Sequence, residues 1–505
     1  MHTNKGYWFM THTFRSLFTS SAFIGLLIGL DASAASRTDL VLGMGVEPPG
    51  LDPTVAAPVA IGQVVWQNVF EGLVTIDKDG RIQPELAKSW DVSENGLSYT
   101  FHLQDNVSFQ NGQPFNSTSA KFTVEKMLAD DSVNPQKNLY RVIQSVTAPD
   151  TYTLVLTLKE PSSDLLYYLG YPTAVMVEPE SASTNATHPV GTGPFKLEQW
   201  KKGNQLTLIG NDHYWGTPAK LNRVTFRFIS NPQAQAAALN SGGVDAMAEF
   251  DAPELVKQFQ NNASFDTVIG TTSMEIVAGM NNARKPFNDL RVRQALMMAI
   301  DRNALISAAN EGLGTPIGSH FSPSDAGYED LTNVLPYSPE KSKQLLAEAG
   351  YPNGFTFTMK VPTRTYAQRA AEIMQAYFAM VGVTMNIESS EFPAKWVSDV
   401  FKDTNYDMTI IGHAEPLDIN IYNRTPYYLN YHNATFANTM TSIANAIDEK
   451  SRLAGYQQAE NILAKEVPAL FLYAYPKIGI WKKELHGFWT NEPIPSNDLT
   501  DVYWK

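Results

Sequence analysis

Not one of the 505 residues is a cysteine. No disulfide can therefore brace the fold, and stability must come from a buried apolar core. A chain this long can bury one readily. The constraint is sharper because the chain opens like an exported protein, which would meet an oxidising compartment. Lys5 and Arg15 give a positive lead, Phe23 to Leu30 is almost wholly apolar, and Ala32-Ser33-Ala34 has the small-x-small form of a cleavage site. That order defines a secretory signal peptide over 1–34. Its apolar run is shorter than the about 20 residues a membrane span needs. Without cysteine there is no lipid-anchored N-terminus either, so the expectation is a freely diffusing periplasmic protein.

The formal net charge is −13, and removal of Lys5, Arg15 and Asp31 makes it one unit more negative. A nucleic-acid binder would show a basic patch instead. No internal repeat or low-complexity tract interrupts the chain. Tyr99 to Leu103, Thr151 to Leu158 and Phe355 to Val361 alternate with the period of half-buried strands. Asn288 is positioned to cap a helix with Val292, Leu296, Ala299 and Ile300 on its apolar face. Ser338-Pro339 opens another that Gly350 closes, and a third runs from Tyr366 to Val381 before Gly382. The fold class is α/β. A hydrolase finds little support: there is no Gly-x-Ser-x-Gly elbow, no His-Glu-x-x-His and no cysteine nucleophile. A carboxylate pair stays open on sequence alone.

Ordered segments point further. They read ELAKSWDVSENGLSYTF (85–101), VSFQNGQPF (107–115), PVGTGPF (189–195), NDHYWG (211–216), AALNSGGVD (237–245), PFNDLRVRQALMMAIDRNAL (286–305) and SPEKSKQLLAEAGYPNGF (338–355). Together they make the chain resemble the bacterial extracellular solute-binding proteins of the peptide and nickel type, along nearly its whole mature length. The resemblance implies a large two-lobed periplasmic-binding-protein fold, with lobe one over 35–280 plus 475–505 and lobe two over 281–474. Residues 76–190 would form an extra subdomain of lobe one. Two crossover strands, near Met274 to Asn281 and Leu470 to Tyr475, would be the hinge. The implied function is non-enzymatic and needs no cofactor. A peptide or peptide-like solute, or an opine, is captured by hinge closure and handed by a monomer to an inner-membrane ABC permease.

The resemblance also implies site residues. Arg364, in Arg364-Thr365-Tyr366 before a helix, matches an arginine that holds a peptide carboxylate, and a helix N-terminus favours the same anion. In the loop after the strand Tyr406 to Ile411, His413 stands where peptide binders carry an aspartate for the ligand amine, with Glu415 and Asp418 close by to take that role. Trp396 and Trp66 are candidate stacking surfaces, and Glu47 to Pro53 is expected at the cleft. His432, with His413, supplies the alternative reading of a nickel or metal chelate.

Overall fold

The computed structural model describes residues 37–505 apart from Ala57, Asp251 and Pro416. The signal segment 1–34 lies outside these residues. Two long strands, Phe265–Met280 and Ala469–Lys482, run antiparallel beside each other and form the spine of the molecule. Each is longer than the stretch the sequence suggested. They knit what would be two sheets into one of eleven strands. On one side of the pair, outward, lie Met408–His413, Thr356–Pro362 and Thr384–Ser390. On the other lie Ala246–Met247, Asp39–Met44, Arg223–Phe228, Gln205–Gly210 and Phe195–Lys201. Thr315–Pro316 pairs with the second spine strand. The spine is not uniform: its register breaks between Thr271 and Glu275, and again between Ile276 and Val277. A bulge of this kind leaves residues out of the ladder and bends the strand.

Local chemistry explains the elements. Ser338 accepts from the Lys341 N–H at 3.3 Å and caps Pro339–Glu348. Asp289 rather than Asn288 caps Leu290–Met298, accepting from the Arg291 N–H at 2.9 Å, and Asp301 separately caps Arg302–Ala309. The third helix, Thr365–Met380, begins directly after Arg364. Gly191 has a plain reason to be glycine: a Cβ there would lie 1.9 Å from the Val69 carbonyl oxygen.

Of four apolar cores among the described residues, three carry most of the packing. Tyr99, Phe101, Leu154 and Leu156 of a four-stranded sheet close against Ala120 and Val124 of helix Ser117–Leu128. Val292, Leu296, Ala370 and Met374 from the helices close on Met359, Ile410 and Leu472 of the large sheet. The largest core runs from Leu40 and Phe70 through Trp396 and Tyr428 to Tyr456. Residues 38–505 thereby form one compact unit. No described helix is long and apolar enough to cross a membrane.

Candidate functional site

Strand Met408–His413 pairs with the first spine strand so that His413 faces Glu275, immediately beyond the bulge. The chain then turns through Leu417, in the left-handed conformation at φ 53°, into a 3-10 helix, Asp418–Asn423. That turn aims Asp418 back at the sheet. There its carboxylate meets two imidazoles: His413 Nδ1 at 3.0 Å and His320 Nε2 at 2.5 Å. A carboxylate only accepts, so both of these nitrogens carry protons. The far ring nitrogens face tyrosine hydroxyls, Tyr428 at 2.9 Å from His413 Nε2 and Tyr422 at 3.2 Å from His320 Nδ1. Burial pushes both phenols well above their ordinary range, so they keep their protons. Burial also opposes the Asp418 charge, but the two imidazoles outweigh it and hold the carboxyl well below the usual range. Burial lowers His320. Glu275 is pushed well above the carboxylate range by burial, with Asp325 and Asp418 adding like-charge repulsion. Asp325, which accepts from the Ser322 N–H, is raised to about 6 by burial.

Asp418 also borders a cavity of about 590 Å³. Gln136, Asn138, Asp164 and Tyr168 line one wall, and Glu415, Asn420 and Arg424 share the other with Met440 and Ile443. A smaller hollow of about 260 Å³ is lined by Gln136, Glu415, Ala414, Pro53 and Tyr171. The walls are thus supplied by the four-stranded region on one side and the 414–444 stretch on the other. Asp164 is shared already, with Tyr456 Oη at 2.7 Å and Arg452 Nη1 at 3.3 Å.

The structure sorts the residues singled out by sequence. Glu415 and Asp418 border the cavity, and His413 packs behind them. Arg364 is exposed, stacks its guanidinium 4.7 Å over Phe392, and is not among the residues lining the cavity. Trp396 is not a stacking surface: it is 1% exposed, donates to Thr409 Oγ1 at 2.9 Å and packs on Phe401. Trp66 is likewise fully buried, its indole N–H bonded to the Gly170 carbonyl. Both are core because their rings fill sheet-to-helix space and their one polar atom is satisfied inside. His432 is exposed and does not join His413; among the described residues the side chains placed to share a cation are Glu275, His320 and Asp418. In Glu47 to Pro53, Glu47 accepts from the Trp200 indole while Pro53 reaches the smaller hollow. Arg424 and His320 were missed. His320 sits in a loop without periodicity, 98 residues from its partner Asp418. Glu275 did carry a signal, a lone acid in the apolar run Met274 to Ala278.

Comparison with known proteins completes the picture. Residues 81–435 match the model of the bacterial extracellular solute-binding proteins, family 5. The chain is 30% identical to the glutathione-binding protein GsiB of Salmonella typhimurium, over 93% of this chain and 95% of that protein. HbpA2 from Haemophilus parasuis superposes with a TM-score of 0.85 at 24% identity, covering 92% of this chain and 100% of that one. DppA from Helicobacter pylori, solved with the peptide STSA, gives 0.70 at 26% identity, over 93% and 98% of the two chains. These are solute-binding transport proteins and not enzymes. The two-lobed α/β frame, its cavity and this match over most of the chain make it a member of the bacterial extracellular solute-binding protein family 5.

Proposed function

We propose that this protein is the periplasmic receptor of an ABC importer for a peptide-like solute bearing an amine and a carboxylate. The observation that carries the reading is the charge pattern of the 590 Å³ cavity: acids Asp164, Glu415 and Asp418, and a single basic residue, Arg424, among amide side chains. The volume falls in the range of small-molecule sites, about 300–1,000 Å³. Glutathione binding by GsiB and peptide binding by DppA support the same class. Asp418 has both oxygens engaged by imidazoles, so the amine falls to Glu415. Arg424 offers a fork for the carboxylate. The lobes divide as the resemblance implies, at the paired spine strands, and the protein acts as a monomer delivering solute to an inner-membrane permease. Export follows cleavage after Ala34, and N-terminal sequencing of periplasmic material should read from Ala35.

The test is a melting and calorimetry panel of a dipeptide, glutathione and an opine. A bound solute raises the melting temperature with concentration, because it binds the folded state alone. Recovery of every compound unchanged is expected. A panel in which none shifts the melt, or one in which a compound is hydrolysed, overturns the proposal.

A further inference from the structure

We propose that Glu275, His320 and Asp418 form a binding site for one divalent transition cation of the zinc or nickel type. The donor atoms of the three side chains lie within 4.8 Å of one another, and all three residues are buried. In a tetrahedral site, donors about 2.0–2.2 Å from a zinc ion stand about 3.3–3.6 Å apart. The cluster, with its donors within 4.8 Å, therefore closes on an ion with shifts of about 1 Å. One imidazole with carboxylate oxygens is a borderline donor set that suits these metals.

Two further observations point to a cation here. Glu275 is 3% exposed, and no donor group reaches its Oε2; the polar side chain it faces is another acid, Asp325. A buried carboxylate oxygen without a donor is costly. The second is charge. The charges acting most strongly on Glu275 are Asp325 and Asp418, both acidic. Three buried carboxyls lie near one point without a lysine or arginine among those neighbours; the two imidazoles already meet the Asp418 charge, so a divalent ion would act on Glu275, displacing its proton. The surroundings fit a metal-bound histidine. With Nε2 on the ion, the imidazole proton sits on Nδ1, 3.2 Å from Tyr422 Oη, which can accept it. His413 holds the other Asp418 oxygen from behind. Asp418 borders the 590 Å³ cavity, which gives the ion an entry path.

The site joins three separated stretches: the first spine strand just past its bulge, the loop carrying His320 and the loop after His413. An ion there would fasten the loop at the cavity wall to the spine. The inference concerns resident metal and stands whether or not the solute is peptide-like.

The experiment uses the mature protein stripped with EDTA, then loaded with ZnCl2 or NiCl2 and desalted. Native mass spectrometry should show one ion per chain. Glu275→Gln and His320→Gln should each weaken uptake at least about tenfold in calorimetry, while His432→Ala changes it less than about twofold. No retained ion, or equal retention by Glu275→Gln and His320→Gln, overturns the site and assigns any binding to surface histidines. If those variants do not fold by circular dichroism, X-ray absorption of the zinc-loaded unmutated protein decides. One imidazole with oxygen donors supports the site; several imidazoles, or oxygens alone, overturn it.

Discussion

Replacing Arg424 by alanine removes the one basic side chain in the cavity wall. In the proposed complex its guanidinium bonds the solute carboxylate. A hydrogen bond to a charged group contributes roughly 1.5–3 kcal/mol. Arg424 is exposed in the structure, over the Tyr427 ring at 5.4 Å, so solvent screens part of that energy. The lower end applies, about 1.5 kcal/mol, or about tenfold in Kd. Lysine should restore part of the loss, because the charge returns without the planar fork. The effect should shrink as salt is raised, since an exposed charge is screened within a Debye length of about 10 Å at 0.1 M. Arg364→Ala is the matched control. That guanidinium lies on Phe392 away from the lining, so its loss should change affinity less than about twofold. The assay is calorimetric titration of parent and variants with glutathione and with a dipeptide, with circular dichroism to show each variant folded. An Arg424→Ala titration equal to the parent's refutes the assignment. A tenfold loss in Arg364→Ala instead would return the carboxylate to the helix N-terminus.

Glu415→Gln should weaken a free-amine dipeptide about tenfold and leave its N-acetylated form unchanged; equal effects on the two would remove Glu415 from the amine. Trp396→Ala should cost about 3–5 kcal/mol in urea unfolding, as a large buried ring is lost from beside Phe392 and Phe401, whereas Trp396→Phe should leave solute affinity at the parent value. Glu85 is held well above its ordinary pKa, first by burial and then by Glu71, so its favourable contribution is full at low pH and fades as pH rises through its folded value. Glu85→Gln should therefore gain melting temperature relative to the parent between about pH 5 and 8, and parallel melting curves would contradict this.

Periodic and punctuated features of the fold were legible in the chain itself. Ser338 and Gly350 bracket a helix as their chemistry demands, and the alternation of Phe357, Met359 and Val361 marks a strand whose residues are buried in register. Helix ends slipped by a residue where two caps competed, as with Asn288 and Asp289, because either side chain can accept from the first turn. The length of the spine strands was not legible. Phe265 to Thr271 reads as polar and apolar mixture, and it becomes a strand because its partner, Pro476 to Lys482, distant in sequence, supplies the ladder. Tryptophans misled for a related reason: a ring that could stack on a solute also fills a core, and sequence does not say which side of the sheet it faces.

At His413 the expectation from sequence meets a defined set of protein partners. In this loop a histidine stands where an aspartate was expected, which suggested that the solute meets an imidazole. The structure gives both ring nitrogens to protein partners, Asp418 and Tyr428. The acid has not vanished from the loop; it stands five residues on, at Asp418, and the histidine holds it. His320, from a distant loop, holds the other oxygen. A carboxylate so committed offers an incoming amine only its remaining lone pairs, and its burial with Glu275 makes it part of the wall's foundation. In the proposed complex, recognition then passes outward to exposed groups, Glu415 and Arg424, which water screens. Such contacts are individually weak, so selectivity must rest on the cavity's shape and amide side chains as well as its charges. In the proposed complex the departure therefore changes which residues meet the solute, while the chemistry asked of that solute, an amine at one end and an acid at the other, stays the same.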